Sequence, residues 1–373
     1  MRVGYLYRLE FMMPDGQSFA STSTTAAGPR PRLFFPIERL PKPILCVPLV
    51  LHWLMLAVRY RSLTLPSAIN PAIETGGLAG ESKSAALAQI SATVPGHVAR
   101  WRLVPPGADP VPVRRAAGLD YPIIAKPDIG WCGYGVQRID GDVGLRSYAA
   151  AFPRDGAIIL QQLITAPMEA GLFYLRQPGA AHGNLIGIGL RHTPHVDGDG
   201  IRTVAALITA DPRTRRRAGY YTGLLTADRL NRIPAPDERV VLTTIASLRV
   251  GSRYEDASAQ ATPAMEAAVD TLGRAMPDFH LGRFDVRFET LAALRRGEFQ
   301  VIEVNGAGSE AIQYWDPSLS LRAAFAGVFA KQALLFRLGA AMRDRGVRPV
   351  GPVALSRAWL RQRRLIRGYP ASN

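Results

Sequence analysis

Arg283, Asp285, Glu303 and Asn305 are the residues whose types and spacing most plainly allow chemistry. They lie in two segments, 282–288 and 301–306, in which apolar residues hold one set of alternate positions and these four hold the other. That period is the period of a strand. If the two strands pair, two carboxylates and an amide oxygen converge on one face. Such an oxygen-rich set suits a hard cation such as Mg²⁺, with nucleotide phosphates completing its shell. A merely solvated charged face is the competing reading; an acid-x-Asn run closing into glycine at Gly306 favours the site.

A second group surrounds Lys126. A short apolar strand, 121–125, delivers the lysine at its end; Gly130, Gly133 and Gly135 follow, and a second strand takes over at 136–139. Glycines let backbone N–H groups curl around an anion without Cβ obstruction. A glycine-rich hairpin with a surface lysine would read the same way. The GxxxxGK[ST] pattern is absent and a strand rather than a helix follows, so this is neither a P-loop nor a dinucleotide fingerprint.

The elements that must position these groups come from a chain of 373 residues, 47% hydrophobic and 20% charged, with a net charge of +15. This is a globular composition with ample core. The charge suits nucleic acid, an anionic membrane surface, or nucleotide and acidic substrates. Cys46 and Cys132 stand apart with no CxxC or Cys/His spacing, which argues against a disulfide framework or zinc site and for a reducing compartment. Residues 1–32 read as a disordered or irregular N-terminus without a signal-peptide core. Residues 33–115 form an N-terminal region whose apolar run, 43–58, reads as a buried helix, an interfacial membrane contact or a membrane span. Ser82 is placed to cap a helix from Lys83, and further strands are expected over 157–163, 171–176 and 184–191. A helix over 265–276 precedes the opening strands. Residues 319–373 read as a basic helical extension, arginine-rich from Arg322 to Arg367 with Asp344 its one acid. Mixed strands and helices make the fold α+β or mixed α/β.

Taken together, these motifs resemble the ATP-grasp superfamily, in particular its D-alanine–D-alanine ligase-like branch of carboxylate–amine ligases, over roughly residues 70–318. The resemblance implies a nucleotide held between a small lid subdomain, 116–175, and a larger antiparallel-sheet catalytic subdomain, 176–318. It implies phosphate binding by Lys83, Lys126 and the loop glycines Gly130, Gly133 and Gly135. Adenine would lie along the hinge strand at Gln161, Gln162 and Leu163, and ribose against Glu169. Asp285, Glu303 and Asn305 would hold a pair of Mg²⁺ ions, with Mn²⁺ as the alternative, and Arg283 would stabilise the transition state with Lys126. The segment 196–200 resembles a Gly-Asp-Gly loop that amide ligases keep near the acceptor, while Arg215, Arg216 and Arg217 compete for a γ-phosphate role.

The implied activity is amide or peptide bond formation from small-molecule carboxylates and amines through an acylphosphate. Arg176, Arg191 and Ser309 are candidates for substrate contact; surface charge is the plainer reading of both arginines. His192 and His195 lack a third metal ligand. Other phosphoryl-transfer chemistry on the same nucleotide site is one alternative, and a basic membrane- or nucleic-acid-associated binding protein is another. Sparse aromatic residues in the basic tail argue against specific nucleic-acid binding. The expected location is the cytoplasm, with peripheral contact at the inner membrane face through 43–58 or the basic C-terminus as the variant.

Overall fold

The computed structural model describes residues 41–373; the expectation for residues 1–32 lies outside them. Two antiparallel sheets dominate. The small sheet contains β1 (Trp101–Val104), β2 (Ile123–Pro127), β3 (Gln137–Ile139) and β4 (Ile158–Gln162), in the order β1-β4-β2-β3. The large sheet contains β5 (Met168–Leu175), β6 (Asn184–His192), β9 (Arg253–Asp256), β10 (Leu281–Phe288) and β11 (Gln300–Asn305), in the order β11-β10-β5-β6-β9. A separate ribbon pairs β7 (His195–Asp197) with β8 (Arg239–Val241). The small sheet and the larger antiparallel sheet face a common cleft, the two-part arrangement expected from the sequence. The lid sheet nevertheless begins at Trp101, and Met168–Leu175 is the central strand of the large sheet. The lid expected over 116–175 therefore starts and ends earlier in the chain.

Each sheet carries its own core. Val104, Leu119, Ile123, Leu145, Tyr148 and Leu160 bury beneath the lid. The large sheet packs on the helices Lys83–Thr93 and Pro263–Ala275 through Leu87, Ile90, Val269, Leu272, Phe284 and Val304. The second helix is started by Thr262, whose side chain accepts the Met265 N–H, with Pro263 in the first turn, where a missing N–H costs nothing.

The segment before the lid holds no strand among the described residues. It consists of the apolar helix Lys42–Arg59, short 3₁₀ turns and the helix Lys83–Thr93. The long helix Leu321–Asp344 packs Leu334, Leu335 and Leu338 against Ile69, Leu175 and Leu281, and Phe336 against Leu56 and Leu65. Among the described residues it is the one helix long and apolar enough to cross a membrane. Its partners are those of a core helix. The last helix is Pro352–Gly368, and it forms part of the cleft wall. Trp359, Gln362, Arg363 and Ile366 line the cleft, and Arg361 and Arg364 pair with Glu74 and Asp155.

Candidate active site

The two opening strands pair as expected. Arg283 stands opposite Asn305 and Asp285 opposite Glu303 in direct antiparallel register, so the four side chains share one face by the alternation of the strands. The register shifts just beyond Asp285: Val286 pairs with Val301, which leaves Ile302 as the extra residue of a bulge. Its carbonyl, freed from the ladder, accepts from Lys126 Nζ at 2.7 Å. A lysine at the end of a lid strand thus touches β11 across the cleft. Lys126 also donates to Gln161 Oε1 on β4 at 2.7 Å.

The charges on the large sheet form rows across adjacent strands. Glu169 faces Arg191 on β6 and Arg287 on β10 and accepts from them at 3.0 and 3.4 Å. One step along the sheet, Asp285 aligns with Gly171 and Gly189. A side chain is excluded at Gly171, where a Cβ would stand 2.7 Å from Arg283 Cδ. The space above it lets Arg283 (2.6 Å) and Arg191 (3.0 Å) both reach the Asp285 carboxylate. Asn305 Nδ2 donates to the same carboxylate at 3.0 Å. Asp285 is buried, 2% exposed, with these hydrogen-bonding partners around its carboxylate oxygens.

Lys83 arrives from the first turn of the helix Lys83–Thr93 and pairs with Glu303 at 2.7 Å. Ser82 caps that helix by accepting from Ala85 N–H. Asp128, just beyond the lid lysine, accepts from Ser84 N–H at 2.8 Å and from Ser82 Oγ at 3.1 Å. The two lysine-bearing segments are therefore tied to each other. Burial alone would raise the Glu303 carboxyl, but Lys83 and Lys126 outweigh it and hold the group down at about 2. Burial opposes the Lys83 charge, which Glu303 and Glu81 nevertheless raise above the usual lysine range. Lys126 is lowered to about 8 because burial dominates. Arg191, opposed by burial, is raised by Asp285. Glu81, which accepts from Gly306 N–H at 2.9 Å, is pushed up to about 7 by burial.

These groups surround a cleft of ≈ 810 Å³ between the sheets, within the size range of small-molecule sites. Lys126, Gly130, Gly133, Gln161, Gln162, Leu163, Glu169, Arg191, Arg283, Asp285, Glu303, Asn305 and Ser309 all line it. The structure thus brings together most of the residues singled out by sequence. Arg191 lies among the carboxylates rather than at a separate substrate anchor. Arg176 does not line the cleft: it follows the far end of β5, where its N–H bonds His280 O. Gly135 also faces away. Its φ of +72° suits glycine, a Cβ would stand 2.8 Å from Pro127, and its N–H donates to Ser372 Oγ. The 196–200 loop closes the β7–β8 ribbon, with Asp199 bonded to Arg202, and lies off the cleft wall. Arg215, Arg216 and Arg217 do not line the cleft either.

Several residues in or behind the cleft wall escape a reading of local motifs. Glu81 was visible only as part of Glu81-Ser82-Lys83. Arg249 donates to Cys132 O and Gly133 O at 3.0 and 3.1 Å and anchors the glycine loop. Lys331 bonds Ser309 O from the long helix. None of these partners is near in sequence.

The donor set of Asp285, Glu303 and Asn305 is all oxygen and shares one face, and Glu303 remains ionised far below neutral pH. This composition fits a hard divalent cation. Among the described residues no group of three or more His, Cys, Asp or Glu side chains could hold a metal ion, so a cation here would rest on two carboxylates and the Asn305 amide oxygen.

No family model matches the sequence. No curated protein matches it either. Among solved structures, it is similar to a bifunctional glutathione synthetase from Pasteurella multocida, at 17% identity over 62% of this chain and 33% of that one, with a TM-score of 0.34. It is also similar to the D-cycloserine synthetase DcsG, at 17% identity over 70% of this chain and 71% of that one, with a TM-score of 0.37. The chain thus spans about a third of the length of the glutathione synthetase. The functional reading rests on the cleft itself.

Proposed function

We propose that the chain is an ATP- and Mg²⁺-dependent carboxylate–amine ligase. The observation that carries this reading is the direct register of Arg283 with Asn305 and Asp285 with Glu303, faced across the cleft by Lys126 and flanked by Lys83. In this reading the γ-phosphoryl group of ATP passes to a substrate carboxylate, giving ADP and an acylphosphate. An amine then attacks the acyl carbon, phosphate leaves, and the amine nitrogen gives up a proton. Lys83 and Lys126 offset phosphate charge, and Arg283 stabilises charge that develops during transfer. The hinge after β4 offers backbone to the adenine ring, and Glu169 offers acceptors to the ribose hydroxyls. The loop 129–135 covers the phosphates and keeps water from the acylphosphate. Asp285, Glu303 and Asn305 would hold Mg²⁺, which when bound neutralises phosphate oxygens.

The test is ADP formation screened over pairs of carboxylic acids and amines, with mass detection of the product. Asp285→Asn and Glu303→Gln should each lose ADP formation while keeping the wild-type circular dichroism spectrum. Full turnover in either folded variant would end this assignment.

One further observation favours peripheral membrane contact as an accompanying property. Val47, Val50, Leu51, Leu54, Met55 and Val58 are exposed on the helix Lys42–Arg59, beside the exposed Arg59 and Arg61. An apolar helix face with a basic rim suits an anionic bilayer surface.

A further inference from the structure

A second cavity, of ≈ 650 Å³, adjoins the cleft. Its walls come from elements that the nucleotide reading leaves unused: Leu45 and Leu49 on the apolar helix, Phe325 and Val328 on the long helix, and Trp315 and Leu355 between and beyond them. The two cavities share Leu78, Ala79, Gly308, Glu310 and Trp359 as common walls, so they meet beside the loop that follows Asn305. The rest of the second cavity's lining is mostly apolar, with Gln332 and Ser356 as polar residues, Glu310 as the acid and Lys331 as the one basic residue among its described lining residues.

Lys331 stands where the cavities join. Its ammonium donates to Ser309 O, while Arg283 Nη1 donates to Glu310 O, the next carbonyl along the chain, at 2.8 Å. Two cations thus flank one loop, Arg283 on the nucleotide side and Lys331 on the apolar side. An ammonium can donate three hydrogen bonds, and a buried cation is stable when an anion faces it.

Building on the ligase reading, we infer that the second cavity holds the acid to be activated, and that this acid has a large apolar or aromatic tail. The tail fills the Phe325–Val328 side, and the carboxylate lies at the junction, against Lys331 and within the field of Arg283. Burial, together with Arg283, lowers the Lys331 ammonium to about 8, a shift that a bound carboxylate would oppose. On the side formed by Leu45, Leu49, Phe325 and Val328 a polar side chain would find no hydrogen-bonding side chain to match it, whereas an alkyl chain gains with each methylene it buries. The bond formed is the acyl–phosphate bond and the bond broken is the γ-phosphoryl link of ATP; the tail serves only to position the carboxylate.

The test uses the full chain with acetate, octanoate, dodecanoate, 4-phenylbutyrate and glutamate. Dodecanoate binding is measured by calorimetry without nucleotide, and ADP formation is measured with hydroxylamine as the trapping amine. The inference expects kcat/KM to rise roughly threefold per added methylene until the cavity is full. Val328→Trp should abolish dodecanoate binding and turnover while Mg–ATP affinity stays at the wild-type value; Leu49→Trp serves if that variant fails to fold. Lys331→Met should weaken dodecanoate by about tenfold or more and leave dodecanol binding unchanged. Turnover of glutamate with no binding of dodecanoate would overturn the inference and leave the ligase reading intact. Dodecanoate binding that Val328→Trp leaves unaltered would also overturn it. Cavity-dependent dodecanoate binding with no ADP formation from any acid would overturn the ligase reading, and with it the role of this acid as the activated substrate.

Discussion

Lys126 is the residue on which the two halves of the site meet. Burial lowers its ammonium to about 8, so the nucleotide-free protein loses this charge as pH rises through that value. A phosphate beside it favours the charged form, and binding above pH 8 must therefore take up a proton. ATP affinity is expected to be highest below pH 8 and to fall above it, with proton uptake visible as a buffer-dependent heat in calorimetry. Lys126→Arg, which stays charged, should flatten the fall; an unchanged pH profile in that variant would remove Lys126 from the phosphate site. Lys126, Asp285, Glu303 and Asn305 were legible in the sequence because strand alternation fixes which side chains share a face. The role of Arg191 was not, because it depends on β5 lying between β6 and β10 and on Gly171 leaving the space in which Arg191 reaches Asp285. Local patterns carry no information about either.

At the scale of elements, strands and helices were found close to where periodicity and capping residues placed them. Ser82 caps the helix that follows, as its position predicts, and the helix expected from 265 begins at Pro263 because Thr262 caps it. What the pattern could not show is which sheet a strand joins. Trp101–Val104 pairs with β4 in the lid although it precedes the expected lid boundary, and the pairing is long-range. The apolar run 43–58 was ambiguous for the same reason. As a helix it buries Leu56 and Ala57 against Leu65 and Phe336, while its other face stays exposed. That exposed face should carry the protein to vesicles rich in anionic lipid in a sedimentation assay. Leu51→Glu with Leu54→Glu should lower the bound fraction several-fold without loss of fold. Equal sedimentation of wild type and double variant would exclude this helix as the membrane contact.

For the whole molecule, the lid loop is held by residues distant in sequence. Ser372 Oγ donates to Gly133 O at 2.8 Å and accepts from Gly135 N–H and Arg249 Nη2 at 3.1 Å each. Tyr369 stacks on Phe152 and donates to Ile129 O. The C-terminal segment, read from the sequence as a basic helical extension, thus braces the lid loop. Deleting residues 369–373 should make the loop at Trp131 and Tyr134 cleavable by chymotrypsin at a rate at least several-fold above wild type; equal resistance would mean that the brace does not hold the loop. A clamp of the two sheets on Mg²⁺ and ATP together would show in calorimetric titration of ATP with Mg²⁺ and with EDTA. ATP should bind wild-type protein at least tenfold more tightly with Mg²⁺ than with EDTA, and Glu303→Gln should erase most of that difference. ATP affinity indifferent to Mg²⁺ in the wild-type protein, or a Mg²⁺ dependence that Glu303→Gln leaves intact, would contradict it.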